Sequence, residues 1–153
     1  MCLVTEQEEA IEATEDIKVY KVFRYSIENK DILYSPYREF EYNIKTGLEF
    51  IATRFKNTLT NIVSETEFRA DIGIHSYATE NDGLHELVYQ NWGPHNVNSN
   101  AFIMVTCYIP KGTLYYKGKF ANCQTYCSKK IIIDKENLKR QIKQAEKKIK
   151  SRN

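Results

Sequence analysis

The sequence of 153 residues predicts an α+β fold, in which a mixed or antiparallel sheet carries one short internal helix and a basic C-terminal helix. Runs rich in Val, Ile and aromatic residues, clearest at residues 17–25 and 101–109, are separated by turn residues and predict strands. The clearest helical spacing of apolar residues follows Thr79 and Asp134. A hydrophobic content of 42% suits a single folded domain of this length.

Charge divides the chain into three expected parts: an acidic arm (1–16), an α+β domain (17–133) and a C-terminal helix (134–153). Residues 1–16 contain six acids and no base, and residues 129–153 contain ten bases and three acids, although the net charge is only +2. The arm, with scattered apolar residues, is expected to be flexible or loosely docked. No apolar run reaches the length of a membrane span, so we expect a soluble protein with no membrane partner.

The strands are expected at residues 17–25, 32–37, 39–47, 72–79, 101–109, 113–120 and 128–134. The run at 101–109 is apolar at successive positions, which is typical of a central strand buried on both faces. Residues 48–63 leave two alternatives open, a helix or a strand pair joined at "FKN", because near-helical apolar spacing coincides with several threonines.

Both expected helices begin at capping residues. Thr79 precedes early acids and predicts a helix over residues 80–91, and Asp134 is a good N-cap for a helix that runs to the end. In the second helix four apolar residues form one narrow seam: Leu138, Ile142, Ala145 and Ile149. The seam predicts packing on the sheet, with a contact to a partner subunit in a homo-oligomer as the alternative.

The familiar catalytic and metal-binding patterns are missing from the sequence. His75, His85 and His95 are ten residues apart, which is not a metal-ligand spacing. The four cysteines also lack such a spacing and are expected to be free thiols: Cys2, Cys107, Cys123 and Cys127. There is no phosphate-binding glycine motif and no Gly-x-Ser-x-Gly. We therefore assign no catalytic residue, metal or cofactor.

A basic and aromatic stretch, residues 108–130, is the best candidate for ligand binding. Residues 112–133 contain no Asp or Glu, while tyrosines and lysines recur through "CYIPKGTLYYKGKF". Aromatic faces stack on bases and lysines bind phosphates, so the stretch favours a nucleotide ligand. A solvated hairpin with ordinary lysines is the alternative.

The order "MCL", "DIKVYKVF", "GIHSYAT" and "IPKGTLYYKG" resembles a family of small uncharacterised phage and prophage proteins. This resemblance implies a phage origin, and hence antagonism of host defence within the host cytoplasm. The early strand, the "IHSYAT" strand and the "IPKG" turn are also similar to elements of ADP-ribosyltransferases. Those enzymes carry a catalytic Glu after the turn, and this sequence has none there, so the similarity implies a nucleotide pocket rather than transferase activity.

Together these features predict a protein that binds and sequesters a nucleotide-derived immune signal, a cyclic dinucleotide or an ADP-ribose derivative, without chemistry. The expected ligand contacts are Tyr20, Arg24, His75, Tyr77, Trp92, Lys111, Tyr115, Tyr116 and Lys117. One alternative is an inhibitor that binds a host defence protein, such as an anti-CRISPR or anti-restriction protein. Another is a nucleotide-processing enzyme of ADP-ribosyltransferase-like fold.

Overall fold

The computed structural model describes residues 3–36, 40–92 and 99–152, which form an α+β fold with two helices. In chain order the elements are β1 (Leu3–Thr5), β2 (Ile11–Glu12), β3 (Ile17–Ser26), β4 (Ile32–Tyr34), β5 (Glu41–Asn43), β6 (Glu49–Ile51), β7 (Phe68–Ala70), β8 (Ile74–Tyr77), α1 (Glu80–Asn91), β9 (Asn100–Ile109), β10 (Leu114–Phe120), β11 (Cys123–Ser128), β12 (Lys130–Ile133) and α2 (Lys135–Arg152). Every pairing between the described strands is antiparallel.

The sheet is organised around β3 and β9, which pair along their full length from Ile17–Ile109 to Ser26–Asn100. The order across the sheet is β6-β12-β9-β3-β8-β11-β10-β1-β7, with β2 beside β10, and β4 and β5 beside β3. The expected central strand at 101–109 is therefore confirmed. Alternation along β3 and β9 directs successive side chains to opposite faces, and each face carries one helix.

The two helices cover opposite faces of β3 and β9. Val19, Phe23 and Val105 belong to the same buried cluster as the seam of α2. On the other face Gly83 of α1 lies so close to the sheet that a methyl group there would stand 2.6 Å from the Met104 sulfur. The predicted cap of α1 is present, since the Asp82 amide donates to Thr79 Oγ1 at 3.1 Å.

The C-terminal helix packs on the domain through the seam predicted from its sequence. The Asn137 amide donates to the capping Asp134 carboxylate at 2.9 Å, and Asn137 Oδ1 accepts from the Thr106 amide of β9 at 2.8 Å. Leu138, Ala145 and Ile149 are buried. The seam is thus used within the chain, where it contributes to the main core.

Ile149→Ala is expected to destabilise the fold by about 3 kcal/mol, because its side chain is completely buried and its loss leaves a cavity. Ile142 is only partly buried and packs at the edge of the same core, so Ile142→Ala should cost about 1 kcal/mol. Urea unfolding of both variants checks this difference. Equal losses in the two variants would contradict the packing of α2 described here.

The acidic arm differs from the expectation of a flexible or loosely docked segment. Residues 3–5 form β1, which pairs with β7 on one side and β10 on the other, and Leu3 is fully buried. Thr5 Oγ1 donates to the Lys117 carbonyl at 2.6 Å. Residues 3–5 and 11–12 of this segment therefore belong to the sheet, with Leu3 and Thr5 buried and the acids of the segment exposed.

Residues 48–63 form neither of the two expected structures. The short strand β6 is followed by irregular chain that touches the sheet through two isolated bridges, Glu9–Thr58 and Ile62–Phe68. The sequence reading also missed β11, which follows a two-residue turn with Ala121 (φ 48°) and Asn122 (φ 69°) in the left-handed region.

Neither described helix is long and apolar enough to cross a membrane.

Candidate functional site

A cavity of about 380 Å³ lies where the sheet divides beside β3. One edge of β3 is occupied by β9 throughout. On the other edge β8 pairs with β3 only at Tyr20–Tyr77, and β4 joins that edge at Arg24–Tyr34. Neither β8 nor β4 has a register partner for residues 21–23, and the cavity opens beside this part of β3.

The cavity wall brings together segments that are distant in sequence. Residues 21–22, 40–42, 50–54 and 71–75 line it, together with Glu86 of α1. Three rings form much of the apolar wall: Phe40, Tyr42 and Phe50. The Tyr42 and Phe50 rings meet edge to face at 5.1 Å, so they support one another in a fixed arrangement.

Lys21 is the most unusual group of the wall, because its side chain is only 6% exposed. Its Nζ donates to the His75 carbonyl at 2.7 Å and lies 5.6 Å from the centres of the Phe23 and Tyr42 rings. Burial lowers the pKa of this ammonium group from 10.5 to about 8. Within residues 3–36, 40–92 and 99–152, Lys21 makes no ion pair with Asp or Glu. The wall therefore presents a cation that a ligand anion would stabilise.

Lys21→Met is expected to make the ligand-free protein more stable at neutral pH, by about 1–3 kcal/mol. The folded-state pKa lies below the unfolded value, so the charged lysine destabilises the fold below about pH 8. That penalty disappears as pH rises toward 10.5. The gain from the substitution should therefore shrink between neutral and alkaline pH.

Urea unfolding of wild type and Lys21→Met at several pH values measures this difference. Burial also raises the pKa of Cys107 and Cys127 to about 12, which destabilises both proteins at alkaline pH. Lys21 lowers the pKa of both thiols, so the two proteins are compared below about pH 9, where the thiols stay largely protonated. A stability difference that does not change with pH would contradict the buried, charged state of Lys21.

Residues 71–73, which precede β8, line the cavity and form a turn that His75 closes. His75 Nε2 donates to the Asp71 carbonyl at 3.0 Å and closes the turn between them. Gly73 lies at φ 145°, and a methyl group there would stand 2.6 Å from the Cys127 sulfur. The Oδ1 atom of Asp71 is buried without a hydrogen-bond partner in the described chain. This carboxylate provides an acceptor that is not fully used by the protein.

Helix α1 contributes a second carboxylate from the opposite side. Glu86 is 7% exposed, lines the cavity and accepts from Gln90 Nε2 at 2.9 Å. The site thus combines a buried ammonium group, carboxylate acceptors and aromatic walls. Such a set of groups is suited to orienting a ligand that carries both a ring and an anionic group.

Four of the expected contact residues lie on β3 or β8, and two of them line the cavity, His75 and Tyr77. Tyr20 lies opposite Tyr77, at the point where β8 leaves β3. Arg24 stacks on the Tyr34 ring, 4.4 Å from its centre. Trp92 follows the last turn of α1 and is 89% exposed. Neither Arg24 nor Trp92 lines the cavity.

The basic and aromatic stretch at residues 108–130, here called the basic hairpin, does not reach the cavity. Tyr116 is buried and its hydroxyl donates to the Lys56 carbonyl at 2.7 Å. Tyr115 and Lys117 share the opposite face, each 5.6 Å from the Tyr126 ring. Lys111 lies in the exposed turn, where its amide donates to Asp16 Oδ1 at 2.8 Å. The structure therefore separates these four predicted contacts from His75 and Tyr77.

Most of the cavity wall was not predicted from the sequence, including Lys21, Phe40, Tyr42, residues 50–54, Asp71 and Glu86. A sequence signal for Lys21 does exist, because this lysine lies on the buried face of β3 between the buried residues Val19 and Phe23. A lysine at such a position is a polar group that the core must satisfy. No comparable pattern marks residues 50–54, whose place in the wall depends on tertiary packing.

The structure shows no metal-binding cluster of three or more His, Cys, Asp or Glu side chains in its described ranges. Cys107, Cys123 and Cys127 are free thiols. Cys2 and His95 lie outside the described residues.

Comparison of the chain with family models, with curated proteins and with solved structures returns no match. The geometry of the cavity is therefore the basis for the functional proposal.

Proposed function

We propose that this protein binds a nucleotide-derived ligand in the cavity beside β3 and sequesters it without chemical change. The observation that carries the proposal is the Lys21 ammonium group in the cavity wall, buried and without a carboxylate counter-ion in the described chain. A phosphate near Nζ would supply the missing negative charge and accept a charge-assisted hydrogen bond.

The other wall groups suit the base and sugar of the same ligand. Tyr42, Phe40 and Phe50 supply ring faces and edges for a planar base. Asp71 and Glu86 supply acceptors for exocyclic amino groups and sugar hydroxyls. The volume of about 380 Å³ lies at the small end of the range for ligand pockets, which suits one nucleotide unit of an ADP-ribose derivative or of a cyclic dinucleotide.

The biological role that we propose is antagonism of host defence by a phage protein in the host cytoplasm. It rests on the resemblance of "DIKVYKVF", "GIHSYAT" and "IPKGTLYYKG" to phage and prophage proteins. Sequestration requires only affinity and sufficient copies, which agrees with a site that offers binding groups from many segments. The expected ligand is an immune signal that contains a nucleotide.

Mass spectrometry of small molecules released by heat tests this proposal. The protein is purified from cells with an activated nucleotide-signalling defence and then denatured. We expect one nucleotide-derived compound in near-stoichiometric amount from wild type, and a much smaller amount from Lys21→Met purified in parallel. Re-addition of the compound to fresh protein should raise the melting temperature and return the compound unchanged.

The alternatives give different results in the same experiment. An enzyme would return a chemically altered product after incubation. A protein-binding inhibitor would release no nucleotide and would instead co-purify with a host defence protein. Either result would overturn sequestration as the function.

A further inference from the structure

Helix α1 buries polar residues and exposes apolar ones, which is the reverse of an ordinary amphipathic surface helix. Its buried residues are Gly83, Glu86 and Gln90, two of which are polar. Four large apolar side chains face solvent with exposed fractions of 40, 57, 65 and 89%: Leu84, Val88, Tyr89 and Trp92. We call these four residues the α1 outer face. Large apolar side chains exposed together on one side of a helix, here with the exposed Asn81 and His85 among them, are typical of an interaction site.

The α1 outer face occupies one side of the helix, because Leu84, Val88 and Trp92 recur at intervals of four and Tyr89 lies beside them. The acids of the first turn, Glu80 and Asp82, flank this side of the helix, and the last turn carries no base. A symmetric contact brings identical surfaces together, so like charges at its centre would repel. The α1 outer face contains no Lys, Arg, Asp or Glu and is compatible with such a contact.

We propose that the α1 outer face binds the same face of a second copy of this chain, forming a two-fold symmetric dimer. Tyr and Trp side chains each contribute roughly 150–250 Å² when buried. With Leu84 and Val88, the exposed fractions give roughly 500 Å² per copy, or about 1,000 Å² in total, which is the size at which specific interfaces begin.

The expected oligomer contact through the C-terminal helix is replaced in this proposal. The seam of α2 is already buried against the sheet, with Leu138, Ala145 and Ile149 in the core. The remaining surface of α2 is dominated by Lys, Arg and Glu. In α1, by contrast, the apolar side chains are the ones left exposed. None of them lines the cavity, so the dimer proposal is independent of the proposed ligand.

Sedimentation velocity and tryptophan fluorescence over a range of protein concentrations, from about 1 µM to about 1 mM, test the dimer. Trp92 is the single tryptophan of the chain, so its emission reports on this surface alone. We expect a monomer–dimer equilibrium, with the emission maximum moving to shorter wavelength and iodide quenching decreasing as the dimer forms.

Val88→Asp should abolish both concentration dependences while leaving the circular dichroism spectrum unchanged, because Val88 is 57% exposed. Ile62→Asp is the matched control, since Ile62 is 72% exposed and lies outside α1; this variant should dimerise like wild type. A wild-type protein that stays monomeric over the whole range would overturn the proposal. A dimer that persists in Val88→Asp would overturn it as well.

Discussion

Lys21→Met is expected to weaken binding of ADP-ribose or of the nucleotide released from the purified protein by at least tenfold. Charge-assisted hydrogen bonds contribute about 1.5–3 kcal/mol each, and 1.4 kcal/mol corresponds to a factor of ten in affinity. Methionine preserves much of the side-chain length while removing the charge. Because the buried ammonium destabilises the ligand-free fold, the variant should remain folded and bind poorly. Isothermal titration calorimetry measures the affinity.

Lys111→Ala together with Lys117→Ala is the control for this experiment. Both side chains belong to the basic hairpin and neither lines the cavity, so the double variant should bind the nucleotide within about twofold of wild type. It removes two positive charges where Lys21→Met removes one, which separates local contact from overall charge. If the double variant loses binding and Lys21→Met keeps it, the hairpin is the ligand site and the cavity is not.

Gly118→Ala is expected to destabilise the fold by about 3 kcal/mol or more. A methyl group at this position would stand 2.2 Å from the Val4 carbonyl oxygen and 2.7 Å from Leu3 Cδ1. The neighbour at 2.2 Å is backbone, so β1 would have to move away from β10. The sheet path reaches β7 through β1, which means that this edge of the sheet should loosen together.

Gly47→Ala provides the matched control, because an added methyl group at Gly47 has no heavy atom within 4 Å. We expect its free energy of unfolding to stay within about 0.5 kcal/mol of wild type. Urea unfolding and amide hydrogen exchange of β1 compare the two variants. Equal stability of Gly118→Ala and Gly47→Ala would show that β1 does not pack on β10 as described.

The strands that carry dense β-branched and aromatic patterns could be predicted from the sequence, and those that depend on distant partners could not. β3 and β9 agree with the prediction because their own side chains fill the core. β1 is followed by an acidic segment, and β11 reads "CQTYCS", which has little apolar alternation. Both become strands because neighbouring strands satisfy their backbone groups, a tertiary effect that local composition does not report.

The candidate site was predicted only in part for a related reason. Of the expected contacts, His75 and Tyr77 line the cavity, and both lie on β8, a strand that the sequence predicts. The basic hairpin stood out in composition, but antiparallel alternation buries Tyr116 and directs Lys117 to the other face. The cavity itself exists because β8 leaves β3 where β4 has not yet joined, and such a division of a sheet has no signature within one segment. Lys21 shows that a charged residue at a buried position of a strand indicates this cavity better than the basic hairpin does.

Chemical-shift mapping of ¹⁵N-labelled protein with ADP-ribose tests most directly whether the cavity is the nucleotide site. We expect the perturbed amides to cluster at residues 21–22, 50–54 and 71–77, and Lys21→Met to remove these perturbations. Cyclic di-AMP, titrated in parallel, distinguishes the two candidate ligands, because the one that binds more tightly saturates the changes at these residues at lower concentration. Perturbations confined to residues 111–119, or none with either nucleotide at millimolar concentration, would contradict the account.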